Sequence, residues 1–398
     1  MGVWLASPIY TTRIEASNDP VDYSITLSQY IYHATKPGNR PNAVILADKD
    51  DYRFAIPAAA LIHFPHNAPI LLTDRNSLDK RVEMELKRLS PRDKVFIIGD
   101  LANSIEQSIK VLGLNTFNIP SSDPIECAVK IYNFLKKPME IVIVSVDAYE
   151  ESMLACAWAA HMATPIIYTN KNGLPSKTVD LIKQNNITNI YVLGGSSSIA
   201  FDIVKEIKAI KNSINIQRIQ GNSVYETSVN FIKFYDTTTM FGWDSYQKQG
   251  YSLTFCNKDN WQHGVCSSIL AHTGKHAPML LINKDSVPNE IKTYIDSVNP
   301  STGMAKPPFM HGYIAGGTDV ISYNTQVELD SYLKNVAWLG NRRIEKMKYK
   351  VKSGDSIQSL AKLYNISEQN ILQLNPGLSP NMLPMGQPVT IPITMDLQ

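Results

Sequence analysis

The stretch "APILLTDRNSL", residues 68–78, is a short apolar run that ends in a polar turn, and the chain writes nearly the same line twice more. At 164–174 it reads "TPIIYTNKNGL", and at 277–287 "APMLLINKDSV". Outward from each copy the surroundings also recur. Upstream lies a β-branched run and then a helix-like segment: "NAVILADKDDY" at 42, "IVIVSVDAYE" at 141 and "YSLTFCNKDNW" at 251. Downstream come another helix-like segment and a strand that ends in glycine: "VFIIGD" at 95, "IYVLGGSSS" at 190 and "GYIAGGTDV" at 312. Pro69 to Gly99 is 30 residues, Pro165 to Gly194 is 29 and Pro278 to Gly316 is 38, the excess matching "NPSTGMAKPPF", which reads as a loop insertion. One unit of about 95 residues is therefore used three times.

Continuous apolar strands of four to six residues alternating with helices imply strands buried on both faces, hence parallel sheets covered by helices. The fold class is α/β: three Rossmann-like, doubly wound units. Helix faces agree, with Ile203, Ile207 and Ile210 at i, i+4, i+7 and Val179, Leu181 and Ile182 together. A strand, a polar turn and a helix link the units at 116 and 214, and the same phrase opens the chain at 10.

Beyond residue 342 the texture changes. "RRIEKMKYKVK" is basic and alternating, and two short helices follow that Ser356 and Ser367 can cap, with a strand at either end. The expected division is 1–41 (strand and linking helix), 42–137, 138–244 and 245–341 (the three units), and 342–398 (basic linker and a β-α-α-β domain).

The 398 residues are 44% hydrophobic and 19% charged, a folded chain. With 38 basic and 36 acidic residues there is no global field to recruit nucleic acid. No apolar run reaches the ~18 residues needed to span a bilayer, so no membrane insertion is expected. The N-terminus lacks a basic, apolar secretory pattern, and Ala6 stands where a myristoylation signal needs Ser or Thr. Cys127, Cys156, Cys256 and Cys266 show no CxxC spacing and read as buried, reduced thiols.

The tail, "YKVKSGDSIQSLAKLYNISEQNILQLNPGL" through "GQPVTIPI", resembles a LysM module along its whole length. The resemblance implies binding of an N-acetylglucosamine-containing glycan, peptidoglycan or chitin-like, by Gly354, Asp355, Ser356, Ile357, Asn375, Pro376, Gly377 and Leu378. Backbone groups bared by Gly and Pro turns would bond acetamides while Ile and Leu meet the N-acetyl methyl. The same residues also suit a helix cap and a helix stop.

Residues 10–340 resemble the cell-wall-binding repeat type 2 of Gram-positive surface proteins, carried by "APILLT", "YVLGGSSSI" and above all "RIQGNSVYETSV". That resemblance implies three units around a threefold pseudo-axis that hold an anionic wall polymer without catalysis. The sequence departs from the family where its first helix should open on an acidic D-A-L: those positions hold Phe54-Ala55, Glu151-Ser152 and His263-Gly264. The closing motif is kept at Arg218, Gly221, Tyr225 and Thr227, partly kept at Arg13 and eroded near Asn118.

Nothing in the chain reads as a cofactor site or an active site. There is no GxGxxG, P-loop or GxSxG elbow, and no acid pair or Ser-His-Asp set recurs across the copies. His263, Cys266, His272 and His276 invite a metal reading, but helical spacing puts His272 across from His263 and Gly274 breaks the helix. Arg342, Arg343 and Lys346 head the strongest basic cluster, which could hold an anionic polymer or simply stay solvated.

Two functional expectations stand. One is a non-enzymatic cell-surface, cell-wall or spore-surface scaffold tethered to glycan through its LysM module. The other is a self-assembling subunit of a spore coat layer or extracellular filament, homo-oligomeric, with LysM as a docking module.

Overall fold

The computed structural model describes residues 10–246, 251–298, 310–333, 336–339, 342–364, 366–379 and 383–393. The loop expected at "NPSTGMAKPPF" lies wholly outside them. The chain opens with β1 (Thr11–Ile14) and α1 (Pro20–Ile31). The first unit follows as β2 (Ala43–Asp48), α2 (Tyr52–Ala58), β3 (Ile70–Thr73), α3 (Lys80–Leu89), β4 (Lys94–Gly99), α4 (Asn103–Val111) and β5 (Thr116–Pro120). Helix α5 (Pro124–Phe134) links it to β6 (Glu140–Ser145), α6 (Tyr149–Met162), β7 (Ile166–Thr169), α7 (Ser176–Gln184), β8 (Asn189–Leu193), α8 (Asp202–Ile210) and β9 (Asn215–Ile219). Helix α9 (Val224–Lys233) leads to β10 (Ser252–Asn257), α10 (Trp261–Ser267), β11 (Met279–Ile282), α11 (Asn289–Val298), β12 (His311–Ala315) and α12 (Tyr323–Leu333). The tail holds β13 (Val336–Leu339), β14 (Arg342–Lys350), α13 (Ile357–Leu363), α14 (Glu368–Gln373) and β15 (Pro388–Ile393).

Three four-stranded parallel sheets result, ordered β3-β2-β4-β5, β7-β6-β8-β9 and β11-β10-β12-β1. The recurring Ala/Thr-Pro dipeptide sets their common register. Pro69 and Pro165 accept from the central-strand amides of Ile45 and Val142 at 2.9 and 3.0 Å, and Pro278 accepts from Thr254 at 2.8 Å. One row across each sheet is thereby Ile70-Ile45-Phe96, Ile166-Val142-Tyr191 and Met279-Thr254-Tyr313. These strands are buried on both faces, as continuous apolar runs require.

The fourth strand of the third sheet is β1, from the other end of the chain. Thr11 pairs with Gly312 and Ile14 with Ala315, both parallel. The opening phrase of the sequence thus completes the last unit, and the three units close into a ring. Each linking helix repeats the arrangement: α1 packs on α10 and β3, α5 on α2 and β7, α9 on α6 and β11. Asp19, Asp123 and Ser223 cap these helices by accepting from the amides of Val21, Ile125 and Glu226.

On the pseudo-threefold axis α2, α6 and α10 touch one another. Residues Ser152 to Ala160 of α6 are all buried, a helix apolar on every side because other helices surround it. Its alanines let the backbones approach closely. All four cysteines are buried and free.

In the tail, β14 pairs antiparallel with β15, and α13 and α14 pack together. One expectation needs revision here. "VAWL", read as the end of the third unit, is β13 and pairs antiparallel with β14, so the terminal sheet has three strands. Val336 to Leu339 satisfies its backbone on the tail because the third unit's fourth position is already taken by β1.

Candidate functional site

In doubly wound sheets, ligands settle beyond the carboxyl ends of the strands, where amides at the next turn are free. The three units treat that place differently. Gly99, Gly194 and Gly316 turn the chain there with φ of 78°, 138° and 105°, and a Cβ on each would strike Phe54, Glu151 and His263 respectively. These are the three positions where the acidic opening of the repeat family is replaced. Phe54 seals the first turn with a ring. Glu151 occupies the second, accepting from the Gly195 amide at 3.0 Å and from the Ser198 hydroxyl, so an internal carboxylate sits where an external anion would. His263 fills the third; it is 1% exposed, its ring lies 4.2 Å from that of Tyr23, and burial pushes its pKa down to about 4, so it is neutral.

The second unit keeps a polar cleft beside its turn, of about 370 Å³ and lined by Ser145, Asp147, Glu150, Lys171, Ser197 and Asn222 among others. Its hydroxyls, carboxylates and single lysine suit hydroxyl-rich ligands better than phosphate.

The closing-motif arginine is a structural clamp. Arg218 donates to the Ile199 and Ala200 carbonyls at 2.8 and 2.9 Å and to that of Gly194 at 3.1 Å. Gly221 donates its amide to the Thr227 hydroxyl at 3.0 Å, and Tyr225 bonds Asn283 of the next unit. Arg13 repeats the clamp in the third unit, donating to the Gly316 carbonyl at 2.7 Å and to Gln326 at 2.8 Å. Burial lowers the pKa of both arginines. In the first unit the Asn118 side chain donates to Glu106 at 2.7 Å, and Arg75 bridges the loops instead, 2.7 Å from buried Asp48 and 3.7 Å from Asp100.

Equivalent first-turn positions on the axis hold Tyr52, Tyr149 and Trp261, with ring centroids 5.5 and 6.2 Å apart. At the opposite end of the same helices stand His63, His161, His272 and His276, from all three units. The sequence reading missed both groups. Aligning the copies on Phe54, Glu151 and His263 would have exposed the aromatic trio, two residues earlier in each. The metal reading of copy three does not gain from the fold. His263 is sequestered in the core, His272 faces histidines of other units, and among the described residues no group of three or more His, Cys, Asp or Glu could hold a metal ion.

In the tail, Ser356 and Ser359 form a reciprocal cap at 3.0 and 2.9 Å. Asp355 accepts from the Lys352 amide at 2.6 Å and the Tyr349 hydroxyl at 2.8 Å, which lowers its pKa, the amide most. Ile357 is buried. Asn375 binds Ile371 and Thr390 through all its polar atoms, pinning the second turn to β15. Gly354 and Gly377 have φ of 89° and 94° with open space around them, while Pro376 is exposed and Leu378 half-buried. Arg342, Arg343 and Lys346 lie on the backbone of β14, their side chains outside the described residues.

Two family models match the chain: "Cell wall binding domain 2 (CWB2)" over residues 119–204 and 218–326, and "LysM domain" over 349–392. The N-acetylmuramoyl-L-alanine amidase LytC of Bacillus subtilis (strain 168) is 23% identical over 66% of this chain and 50% of its own length. The amidase enhancer of the same organism is 25% identical over 64% of this chain and 33% of its own. The chain thus spans half or less of the curated relatives it matches. Among solved structures, Cwp6 from Clostridium difficile superposes with a TM-score of 0.62 at 21% identity, over 80% of this chain and 47% of that one. Cwp8 from Clostridium difficile gives 0.64 at 17%, over 81% and 52%. These two carry the fold alone. The chain carries cell wall binding domain 2 repeats followed by a LysM domain, which makes it a cell-wall-associated protein.

Proposed function

We propose that the chain is a non-catalytic wall scaffold: a closed ring of three repeats held on N-acetylglucosamine-containing glycan by its LysM domain. The observation that carries this is the contrast within the two LysM turns. The polar side chains of Asp355, Ser356 and Asn375 bond the domain itself, whereas Gly354 and Gly377 leave their backbone open to a ligand. Backbone groups of 354–357 and 375–378 would then read the acetamides of a glycan strand. Support for a non-catalytic ring comes from the strand ends, where Phe54, Glu151 and His263 serve internal packing and share no chemistry. Anionic polymer would meet Arg342, Arg343 and Lys346 on β14. A spore-surface setting is part of this proposal.

A self-assembling subunit is the second reading, favoured by exposed apolar side chains such as Phe64 and Val111, 67% and 86% exposed.

Co-sedimentation separates them. The full chain is mixed with purified walls, with and without acid extraction of their anionic polymers. The LysM reading expects retention on extracted peptidoglycan and release by soluble chitin oligomers. No retention on either material, together with regular polymers in negative stain, would replace it with the assembly reading.

A further inference from the structure

The histidines at the carboxyl end of the axial helices have no part in wall binding as proposed. His63 follows the short helical turn after α2, His161 lies in the last turn of α6, and His272 ends the turn after α10, with His276 four residues on. The rings of His63 and His272 are 4.8 Å apart, those of His161 and His276 5.2 Å. His161 also stacks on Trp243 at 5.0 Å and meets the edge of Trp158 at 5.6 Å, and His272 Nε2 lies 2.8 Å from Asn67 Oδ1. His63, His161 and His272 are half-buried and His276 exposed, so protons reach the group from solvent.

We propose that His161 and His272, packed against the rings of His276 and His63, form an acid-sensitive latch that holds the three units together when neutral and loosens them when protonated.

His161 and His272 stand at helix carboxyl ends, where the backbone dipole alone would welcome a proton. Four imidazoles in contact reverse that preference, because the first proton repels the next across a partly dehydrated gap. Burial is the largest cause lowering the pKa of His272, to about 4, followed by His63, His161 and His276. Burial also leads for His161, with His276 and His63 adding to it and the Ala271 backbone opposing. Among the described residues no carboxylate acts on either ring; the facing groups are the other imidazoles, Asn67 and the two tryptophans.

The sign follows. A histidine whose folded pKa lies below its unfolded value of about 6.5 contributes stability fully present above that pH and lost progressively as pH falls toward 4. His66, His263 and His311, also lowered mainly by burial, add their own slope in the same window. The diagnostic quantity is therefore coupling within the group.

Imidazole titration of the full chain by NMR tests it. His276→Gln, at an exposed position, is expected to raise the pKa of His272 by roughly half a unit. The same change is expected to shrink the fall in melting temperature between pH 7.5 and 4 by about 1 °C. His311→Gln serves as the control and should leave the His272 pKa unmoved. An unchanged His272 pKa in His276→Gln, or an equal shift in His311→Gln, would overturn the latch.

Discussion

The second and third units reach the same closed sheet by opposite routes. The second borrows β9, which follows β8 after one helix, while the third borrows β1 from across some 300 residues of chain, as the Arg13 to Gly316 separation of 303 records. The arginine clamp is alike in both, yet the backbone fit is not. Gly221 in the second unit leaves no space for a Cβ, which would lie 2.6 Å from Glu226 backbone. Its counterpart three residues after Arg13 is Ala16, whose carbonyl instead crowds Gly317. Local closure is secured by a tight turn. Distant closure is secured by a tight approach of two chains, and it turns a row of repeats into one ring.

The largest way to break this comparison is to delete residues 1–16. The third sheet loses its fourth strand and β12 becomes an edge, so calorimetry is expected to show a split or strongly lowered transition, with a loss of several kcal/mol. Removing the clamps comes next: Arg218→Ala and Arg13→Ala should each cost about 2–3 kcal/mol in denaturant titrations, since each frees charged, partly buried hydrogen bonds. A larger cost for Arg13→Ala would sharpen the view that the ring depends on distant closure. Smaller still is the glycine pair. A Cβ on Gly317 would sit 2.3 Å from the Ala16 carbonyl, whereas one on Gly195 meets nothing closer than 3.7 Å. Gly317→Ala should cost about 1–3 kcal/mol and Gly195→Ala under about 0.5.

The least effect concerns pH. Glu140 opens β6 where the third unit has Ser252, and burial, then repulsion from Asp236, raises its pKa to about 7. A carboxyl that holds its proton more tightly when folded contributes stability below about pH 4.5 that disappears as pH climbs to 7. Glu140→Gln should therefore gain about 1 kcal/mol at pH 8, discounted for its partial exposure, and nothing at pH 4. Melting curves at both values check it.

Much of this architecture was legible in the repeats. Pro69, Pro165 and Pro278 marked a common register because each lies beside the carbonyl that the central strand needs, and the apolar runs around them could only be buried strands. The linking phrases also announced that the chain opens on a fragment of a unit. What no local pattern could say was where that fragment goes, since pairing of β1 with β12 is a matter of ring geometry. Likewise the expected boundary at 341 put "VAWL" in the third unit, whereas its strand pairs with β14 of the tail. The candidate sites were less legible. Glu151 could be seen to replace an acidic family position, but not to fill its own anion-binding turn. The histidine group is invisible in sequence because His63, His161 and His272 come from three different copies and meet only on the axis.

Hydrogen exchange of β1 and β12 tests the closed ring most directly. The account predicts that the Gly312 amide, bonded to Tyr10 at 2.9 Å, and its neighbours in β12 exchange as slowly as the equivalent amides of β8. Rapid exchange throughout β1, with β12 protected only on its β10 side, would contradict it.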